Sequence, residues 1–277
     1  SYSSPLITDD LVFVTETRAK AKEVVTALSR ETGEQVWSAE WEGAMSVPFF
    51  AAANGSWIRA TPALDGGDLF VAGIRDVLVC LNSKTGAIRW KVDFVRQTGS
   101  TLPSFGCACS PLVDGDAVYI QAGGGFSKIN RSDGRILWTV LKDGGGMGGS
   151  AFSSPIIATL CGYRQAVVQT RSRLTGVDLT TGAELWSINV EAFRGMNILT
   201  PTVIGDQIFT SSYGGGSFLF KVTGDTANGF KVSQVWRNKV QGYMSSPVVV
   251  DGHVYLHLRN QRFACIDLVS GKESWIT

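Results

Sequence analysis

Cysteine and histidine are the residue types in this chain that could bind a metal or react as nucleophiles. The five cysteines include one close pair, Cys107 and Cys109, and the two histidines, His253 and His257, lie far from it in sequence. Both histidines fall on one predicted strand at an even spacing, so they share a face, but no third ligand stands near them. The spacing therefore predicts no metal site. The sequence also contains no Ser-His-Asp grouping, phosphate-binding loop or acid pair in a shared turn that would predict catalysis.

Arginine and tryptophan form a second group, which is suited to binding. Trp57 and Arg59 stand close together, so the indole could stack on a flat ligand while the guanidinium holds an anion. Alternatively, Trp57 only packs its own long segment down. Four more arginines could form an electropositive rim for carboxylate or phosphate: Arg75, Arg171, Arg259 and Arg262. Because arginine in a β-turn is often simply solvated, all six residues are candidate contacts for a ligand or partner.

Composition narrows the class of protein. The 277 residues include 32 glycines and carry a formal net charge of +1. Abundant glycine with plentiful aromatics is typical of an all-β protein with many tight turns. The small net charge argues against nucleic acid as the main partner. No apolar run reaches membrane-spanning length, and five cysteines without tight pairing do not predict a disulfide framework.

The sequence contains an internal repeat, whose fold determines where the candidate residues lie. A Gly-x-x-x-Trp motif, with one degenerate copy, ends at Trp37, Trp90, Trp138, Trp186, Trp236 and Trp275. A Ser-Pro or Thr-Pro pair opens each unit, at Pro5, Pro62, Pro111, Pro155, Pro201 and Pro247. The two markers agree on six units, at about residues 1–41, 58–93, 108–141, 152–190, 199–239 and 245–277.

Each unit is expected to form one propeller blade. In residues 110–140, SPLVDGDAVYIQAGGGFSKINRSDGRILWTV, four short apolar runs alternate with turn residues, which predicts four strands. A four-stranded sheet repeated at this period is typical of a propeller, because one blade cannot bury both its faces alone. The sequence therefore predicts an all-β chain, a single β-propeller domain of six four-stranded antiparallel blades.

The motif itself is expected to be structural. An Asp, Asn or Ser four residues before each regular motif glycine can accept hydrogen bonds from the turn, and the glycine supplies the positive φ of the hairpin. The tryptophan is then expected to wedge between blades and to donate its indole N-H to a backbone carbonyl. In the fifth unit Gly229 precedes Trp236 by seven residues, which predicts a longer hairpin with a different turn.

The blade pattern also places the candidate contacts. Trp57 and Arg59 lie in residues 42–60, one of two long segments between blades, and residues 93–109 form the other. The four rim arginines fall in turns between second and third strands, which normally share a face with those segments. Trp57 does not occupy a motif position, so the repeat leaves it available for another role.

The unit is most complete in residues 246–275, SPVVVDGHVYLHLRNQRFACIDLVSGKESW. Over essentially the whole chain, it resembles the pyrroloquinoline-quinone (PQQ) enzyme repeat with its tryptophan-docking motif. That family includes quinoprotein alcohol dehydrogenases and a non-catalytic propeller of the bacterial outer-membrane assembly machine, both usually eight-bladed. The resemblance implies that the six blades are part of an eight-bladed ring, with the rest in flanking sequence. A closed six-bladed ring is the alternative.

The resemblance also implies what a quinoprotein enzyme would need: a vicinal Cys-Cys disulfide, a calcium site and an Asp base. None of these is legible in the sequence. Cys107 and Cys109 are separated by one residue, which changes the ring size of any bridge, so we expect buried or rim thiols. Cys80 and Cys265 occupy equivalent positions in their units, which favours core packing.

We therefore predict a non-catalytic, periplasmic or otherwise extracytoplasmic propeller that binds a protein partner, or a small anionic or flat ligand, through its rim loops. No cofactor is predicted. Because the chain begins at Ser1 without Met, a processed segment is expected, and a lipid anchor could lie in the missing flank. The main alternative is a PQQ-dependent alcohol or sugar dehydrogenase that holds PQQ with calcium, in which Trp57 is the stacking floor and Arg59 the anion clamp. A glycan-binding propeller is the second alternative.

Overall fold

Six four-stranded antiparallel sheets make up the fold. A computed structural model describes residues 3–19, 21–49, 55–144, 147, 149, 151–242, 244–258 and 260–277. The chain divides into two compact units, Ser1–Ala151 and Phe152–Thr277, and each contains three sheets. Within every sheet the strands pair in sequence order, so each sheet is a simple meander.

The first unit contains twelve strands. The first sheet comprises β1 (Leu6–Ile7), β2 (Leu11–Arg18), β3 (Lys22–Ser29) and β4 (Gln35–Glu42). The second comprises β5 (Ala63–Asp65), β6 (Asp68–Gly73), β7 (Val77–Asn82) and β8 (Ile88–Asp93). The third comprises β9 (Leu112–Asp114), β10 (Ala117–Ala122), β11 (Gly125–Asn130) and β12 (Ile136–Val140).

The second unit repeats this arrangement. The fourth sheet comprises β13 (Ile156–Leu160), β14 (Tyr163–Gln169), β15 (Arg173–Asp178) and β16 (Glu184–Asn189). The fifth comprises β17 (Thr202–Ile204), β18 (Gln207–Ser212), β19 (Gly216–Asp225) and β20 (Gly229–Asn238). The sixth comprises β21 (Val248–Val250), β22 (His253–His257), β23 (Phe263–Asp267) and β24 (Glu273–Ile276). The prediction of an all-β chain of six four-stranded blades is confirmed. The single-domain and eight-bladed-ring predictions stay predictions.

One of the long segments between blades contains a short helix that the sequence reasoning missed. Helix α1 (Phe94–Thr98) is capped at its start by Asp93, whose side chain accepts a hydrogen bond from the Arg96 backbone N-H at 3.0 Å. Gly99, in the left-handed conformation, caps its end. A single 3-10 turn lies at Phe193–Gly195. Within the residues that the structure describes, no helix is long and apolar enough to cross a membrane.

The predicted hairpin chemistry is confirmed. The Asn82 side-chain oxygen accepts hydrogen bonds from the backbone N-H groups of Lys84 and Thr85, both at 3.0 Å. Equivalent side chains cap the other regular turns: Ser29, Asn130, Asp178 and Asp267. The motif glycines at 33, 86, 134, 182 and 271 all have positive φ between 68° and 76°.

Tryptophan docking joins the first sheet to the second, the second to the third and the fifth to the sixth. The indole Nε1 of Trp37, in the first sheet, donates to the Ser83 carbonyl in the second at 3.0 Å. Trp90 donates in the same way to Arg131 in the third sheet at 2.8 Å, and Trp236 to Leu268 in the sixth at 2.8 Å. Each ring also covers the motif glycine of the sheet it docks on, so a tight contact accompanies the hydrogen bond.

Trp186 breaks the rule, and the prediction of a backbone acceptor is wrong for it. Its indole Nε1 donates to the Gln165 side-chain oxygen of its own sheet at 2.6 Å. The cause lies in the next sheet. There β19 and β20 are ten residues long, against six for β7 and β8, so the expected turn has moved away. The prediction of a longer fifth hairpin is confirmed, and its Phe230 ring packs against Tyr163 of the fourth sheet, with centroids 5.7 Å apart.

Apolar clusters fill the space between consecutive sheets. In the first unit one cluster holds Trp37 and Val71, and a second holds Phe70 and Ile120. In the second unit the corresponding clusters are centred on Trp186 with Phe218, and on Phe209 with Trp236. Burial on both faces explains why the middle strands read as nearly continuous apolar runs. The turns and the segments between sheets are left to carry the candidate functional residues.

Candidate functional site

Trp57 and Arg59 lie together in one tightly folded loop. The half-buried Trp57 ring covers Gly55, where an added Cβ would lie 2.3 Å from the ring carbons. The Arg59 terminal Nη2 donates to the Gly55 carbonyl at 3.0 Å. Gly55 has a φ of 71°, so both the conformation and the ring contact require glycine here. The two side chains are thus brought together by their own loop, and a role in ligand contact stays a prediction.

Arg75 is exposed in the turn between β6 and β7, as the strand pattern predicted. Its positive charge favours ionisation of the buried Glu23 carboxyl in the neighbouring sheet. Arg75 is therefore positioned at the surface above a buried acid. Its role as a partner contact is untested.

The arginines of the second unit occupy separate local environments. Arg171 donates from its terminal Nη2 to the Arg194 carbonyl at 2.5 Å, and its guanidinium lies 5.1 Å from the centre of the Phe152 ring. The buried Asn197 amide donates to the Arg171 backbone carbonyl at 3.1 Å and fixes the turn.

Arg262 is exposed and donates from Nε to the Thr277 carbonyl. Arg259, the remaining candidate, lies outside the described residues. Arg171 and Arg262 thus engage different backbone carbonyls. The idea that the arginines form one rim stays a prediction.

The sequence reasoning missed a buried carboxylate. The Glu23 side chain on β3 is fully buried and accepts from the Trp41 indole at 2.9 Å and from the Ile74 backbone N-H of the second sheet at 2.6 Å. Burial raises its pKa to about 7, against the lowering effect of these two hydrogen bonds. The signal available in the sequence was Trp41, a second tryptophan that falls outside the repeat motif.

A second buried carboxylate, Asp76, connects the second sheet to the third. The Asp76 side chain accepts from the Gly123 backbone N-H at 2.8 Å, and burial raises its pKa to about 6. The Cys107 thiol lies beside it, and burial raises the thiol pKa well above its ordinary value. Glu23 therefore links the first sheet to the second, and Asp76 links the second to the third, both at the ends of the middle strands.

The cysteines are placed as expected. Cys107, Cys109, Cys80 and Cys265 are buried, and Cys161 is half-buried. Among the residues that the structure describes, no three or more His, Cys, Asp or Glu side chains form a group that could hold a metal ion. The prediction that no cofactor is bound stays a prediction.

Comparison with protein families identifies the repeat. The model of the family described as "Outer membrane protein assembly factor BamB" matches residues 21–277. The chain belongs to this family. The BamB-family match spans all six tryptophan motifs, so the resemblance recognised in the sequence is confirmed.

Individual relatives of the BamB family agree with this assignment. The chain is 22% identical to outer membrane protein assembly factor BamB of Yersinia pestis over 93% of its own length and 62% of the relative's. It is 23% identical to the Shewanella oneidensis protein of the same name, over 96% of its own length and 61% of the relative's. The chain thus spans about three fifths of the length of these curated relatives.

The fold is also that of a solved BamB. The crystal structure of BamB from Moraxella catarrhalis matches 99% of this chain and 72% of the solved chain, with a TM-score of 0.68 and 16% identity. At this identity the likeness establishes a shared propeller architecture.

Proposed function

We propose that this chain is the propeller of an outer-membrane assembly factor, a non-catalytic scaffold that works in the periplasm and binds a protein partner through its rim turns. The observation that carries the proposal is the family match over residues 21–277, together with relatives that bear the assembly-factor name. A propeller supports such a role because its repeated sheets provide a rigid frame for variable turns.

The rim turns of this chain support contact with a partner. Arg75 and Arg262 are exposed in equivalent turns between the second and third strands of their sheets. Exposed arginines can pair with carboxylates in bidentate geometry and contribute strongly to interfaces. Arg171 is more firmly held, so it is better suited to shaping its turn than to capturing a partner.

Deletion of the gene in the source bacterium tests the role. We expect lower amounts of outer-membrane β-barrel proteins in the cell envelope, restored by the wild-type gene. A variant with Arg75→Ala and Arg262→Ala should restore them poorly, while its purified protein melts within a few degrees of wild type. The matched control is Lys84→Ala with Lys272→Ala, which removes two exposed charges from the turns between third and fourth strands. Unchanged barrel-protein levels on deletion would overturn the proposal.

The quinoprotein alternative has its own test. Purified full-length protein is mixed with PQQ and calcium and passed through a gel-filtration column while the cofactor's absorbance is followed. Free passage of the cofactor is expected for a scaffold. Stoichiometric retention with the protein would favour the dehydrogenase and contradict the scaffold proposal.

A further inference from the structure

A cleft of about 760 Å³ lies in the first unit, between the outer strand of the second sheet and the outer strand of the third. Lys91 on β8 lines one wall, and Thr139 on β12 lines the other. The volume falls within the range of clefts that hold ligands. None of the candidate residues from the sequence lines this cleft, so it is a surface separate from the rim turns.

Three cations converge on the cleft. Lys91, Arg135 and Lys142 line it and are exposed, and among the described residues none of their side chains forms an ion pair. Asp133 is the acid in the lining, and one of its carboxylate oxygens accepts from the Arg135 backbone N-H at 2.9 Å. Three positive charges against one negative leave an excess of two, in a chain whose net charge is +1. A concave surface with unpaired cations concentrates anions.

The walls of the cleft are held by hydrogen bonds and include four glycines: Gly123, Gly124, Gly134 and Gly144. The Trp90 ring packs against the lining residue Gly134 and donates to the Arg131 carbonyl, and the Asp143 N-H donates to the carbonyl of the lining residue Gly124 at 2.9 Å. An added Cβ on Gly124 would lie 1.8 Å from the Gly144 carbonyl oxygen, so the two backbone segments pack directly against each other and fix this wall. The Ser100 hydroxyl, also in the lining, is buried and has no hydrogen-bond partner among the described residues.

The separation of the cations indicates the shape of the ligand. Arg135 precedes β12 and Lys142 follows it, and the residues between them span roughly 20 Å as extended chain. A single carboxylate or phosphate cannot contact both ends. An extended chain that carries several carboxylates can.

We propose that this cleft binds an acidic, extended peptide segment of a protein partner, whose carboxylates pair with Lys91, Arg135 and Lys142. That the occupant is a protein segment rests on the proposed scaffold function, whereas the anionic, elongated character of the ligand rests on the cleft itself.

The probe is a fluorescein-labelled peptide of sequence Ser-Glu-Gly-Glu-Ser-Glu-Gly-Glu, followed by fluorescence anisotropy with the full chain at low and high salt. The matching peptide with glutamine in place of glutamate is the ligand control. We expect binding of the glutamate peptide that weakens with salt, and little binding of the glutamine peptide.

The variant Lys91→Gln, Arg135→Gln, Lys142→Gln should bind the glutamate peptide about tenfold more weakly, the loss expected for three partly exposed charge pairs. The control variant Lys84→Gln, Lys231→Gln, Lys272→Gln removes the same charge from exposed positions elsewhere and should bind like wild type. Should the triple variant not fold, Arg135→Glu alone should weaken binding at a single exposed position.

Four results would overturn the proposal: equal losses in both triple variants, equal binding of both peptides, equally effective competition by free glutamate or inorganic phosphate, or tighter binding of a single-stranded oligonucleotide than of the peptide. The cell experiment is independent of this one. If the peptide binds but gene deletion has no effect, the scaffold function is contradicted and the anionic binding site in the cleft is supported. If gene deletion lowers barrel-protein levels but the peptide does not bind, only the proposal for the cleft is contradicted.

Discussion

At the scale of single residues, the buried Glu23 carboxyl makes the first unit sensitive to pH. Its pKa is raised from 4.5 to about 7 because burial disfavours the charged form. The folded protein therefore holds a proton at pH values where the unfolded chain has lost it. Stability is greatest below the unfolded pKa, falls as the pH rises from about 4.5 to about 7, and is level above that range.

We predict that Glu23→Gln flattens this dependence. Between pH 4.5 and 8 the wild-type free energy of unfolding should fall by about 3 kcal/mol more than that of the variant, measured by urea denaturation. The variant should also be less stable overall, because one amide oxygen cannot replace two carboxylate oxygens that accept from Trp41 and Ile74. Glu31→Gln, at an exposed turn, is the matched control. Identical slopes for wild type and Glu23→Gln would contradict the prediction.

Substitutions at two motif glycines distinguish the energetic cost of backbone strain from the cost of a steric clash. Gly33 and Gly86 have nearly the same φ, 72° and 73°, but an added Cβ meets nothing within 4 Å at Gly33 and lies 2.5 Å from the Trp37 ring at Gly86. Gly33→Ala should cost only the strain of a positive φ, about 1–2 kcal/mol. Gly86→Ala should cost about 2 kcal/mol more, because the docked ring must move. Thermal or urea unfolding of the two variants measures the difference, and equal costs would show that the ring contact is not tight.

At the scale of elements, the fifth hairpin determines how the fourth sheet holds its tryptophan. We predict that Gln165→Leu lowers the free energy of unfolding by about 1–3 kcal/mol, because the buried Trp186 N-H loses its acceptor. In a Trp186→Phe background the same change should cost about 1 kcal/mol less.

The control for this double-mutant cycle combines Gln165→Leu with Trp236→Phe. Because Trp236 donates to the Leu268 carbonyl, the two changes should be additive within about 0.5 kcal/mol. Coupling as large as that with Trp186 would show that the effect is not specific to the indole of the fourth sheet.

The elements were largely predictable, and the candidate site was not. Strand count, turn residues and the long fifth hairpin follow from local chemistry that recurs in each unit, so one sequence contains six copies of the signal. Helix α1 was missed because five residues are too few to show a helical period. Glu23 and Asp76 were missed because their partners lie in other sheets, and Lys91, Arg135 and Lys142 were missed because each looks like an ordinary surface charge until the sheets are placed side by side.

At the scale of the whole molecule, the last tryptophan differs from the docked ones. Trp275 is 44% exposed, whereas the docked Trp37 and Trp236 are each less than 10% exposed and the docked Trp90 is half-buried. The sequence predicts that the six blades belong to a larger ring, and in such a ring a neighbouring sheet would cover this indole.

We predict that adding the natural flanking sequence shifts Trp275 fluorescence to shorter wavelength, measured in a variant that keeps this tryptophan as the reporter. Trp275→Phe should change stability by less than about 0.5 kcal/mol in the 277-residue chain and by about 1 kcal/mol or more in the longer one. An unshifted spectrum in the longer chain would argue against a following blade that covers the ring.

The docking bonds have a direction, since Trp37, Trp90 and Trp236 each reach forward to a sheet that comes later in the chain. During synthesis a finished sheet must therefore wait for its successor before its indole is satisfied and its ring covered. At ribosomal speed the next unit of about fifty residues takes roughly three to ten seconds to appear. For that time the newest finished sheet leaves its tryptophan ring uncovered at the growing end of the chain.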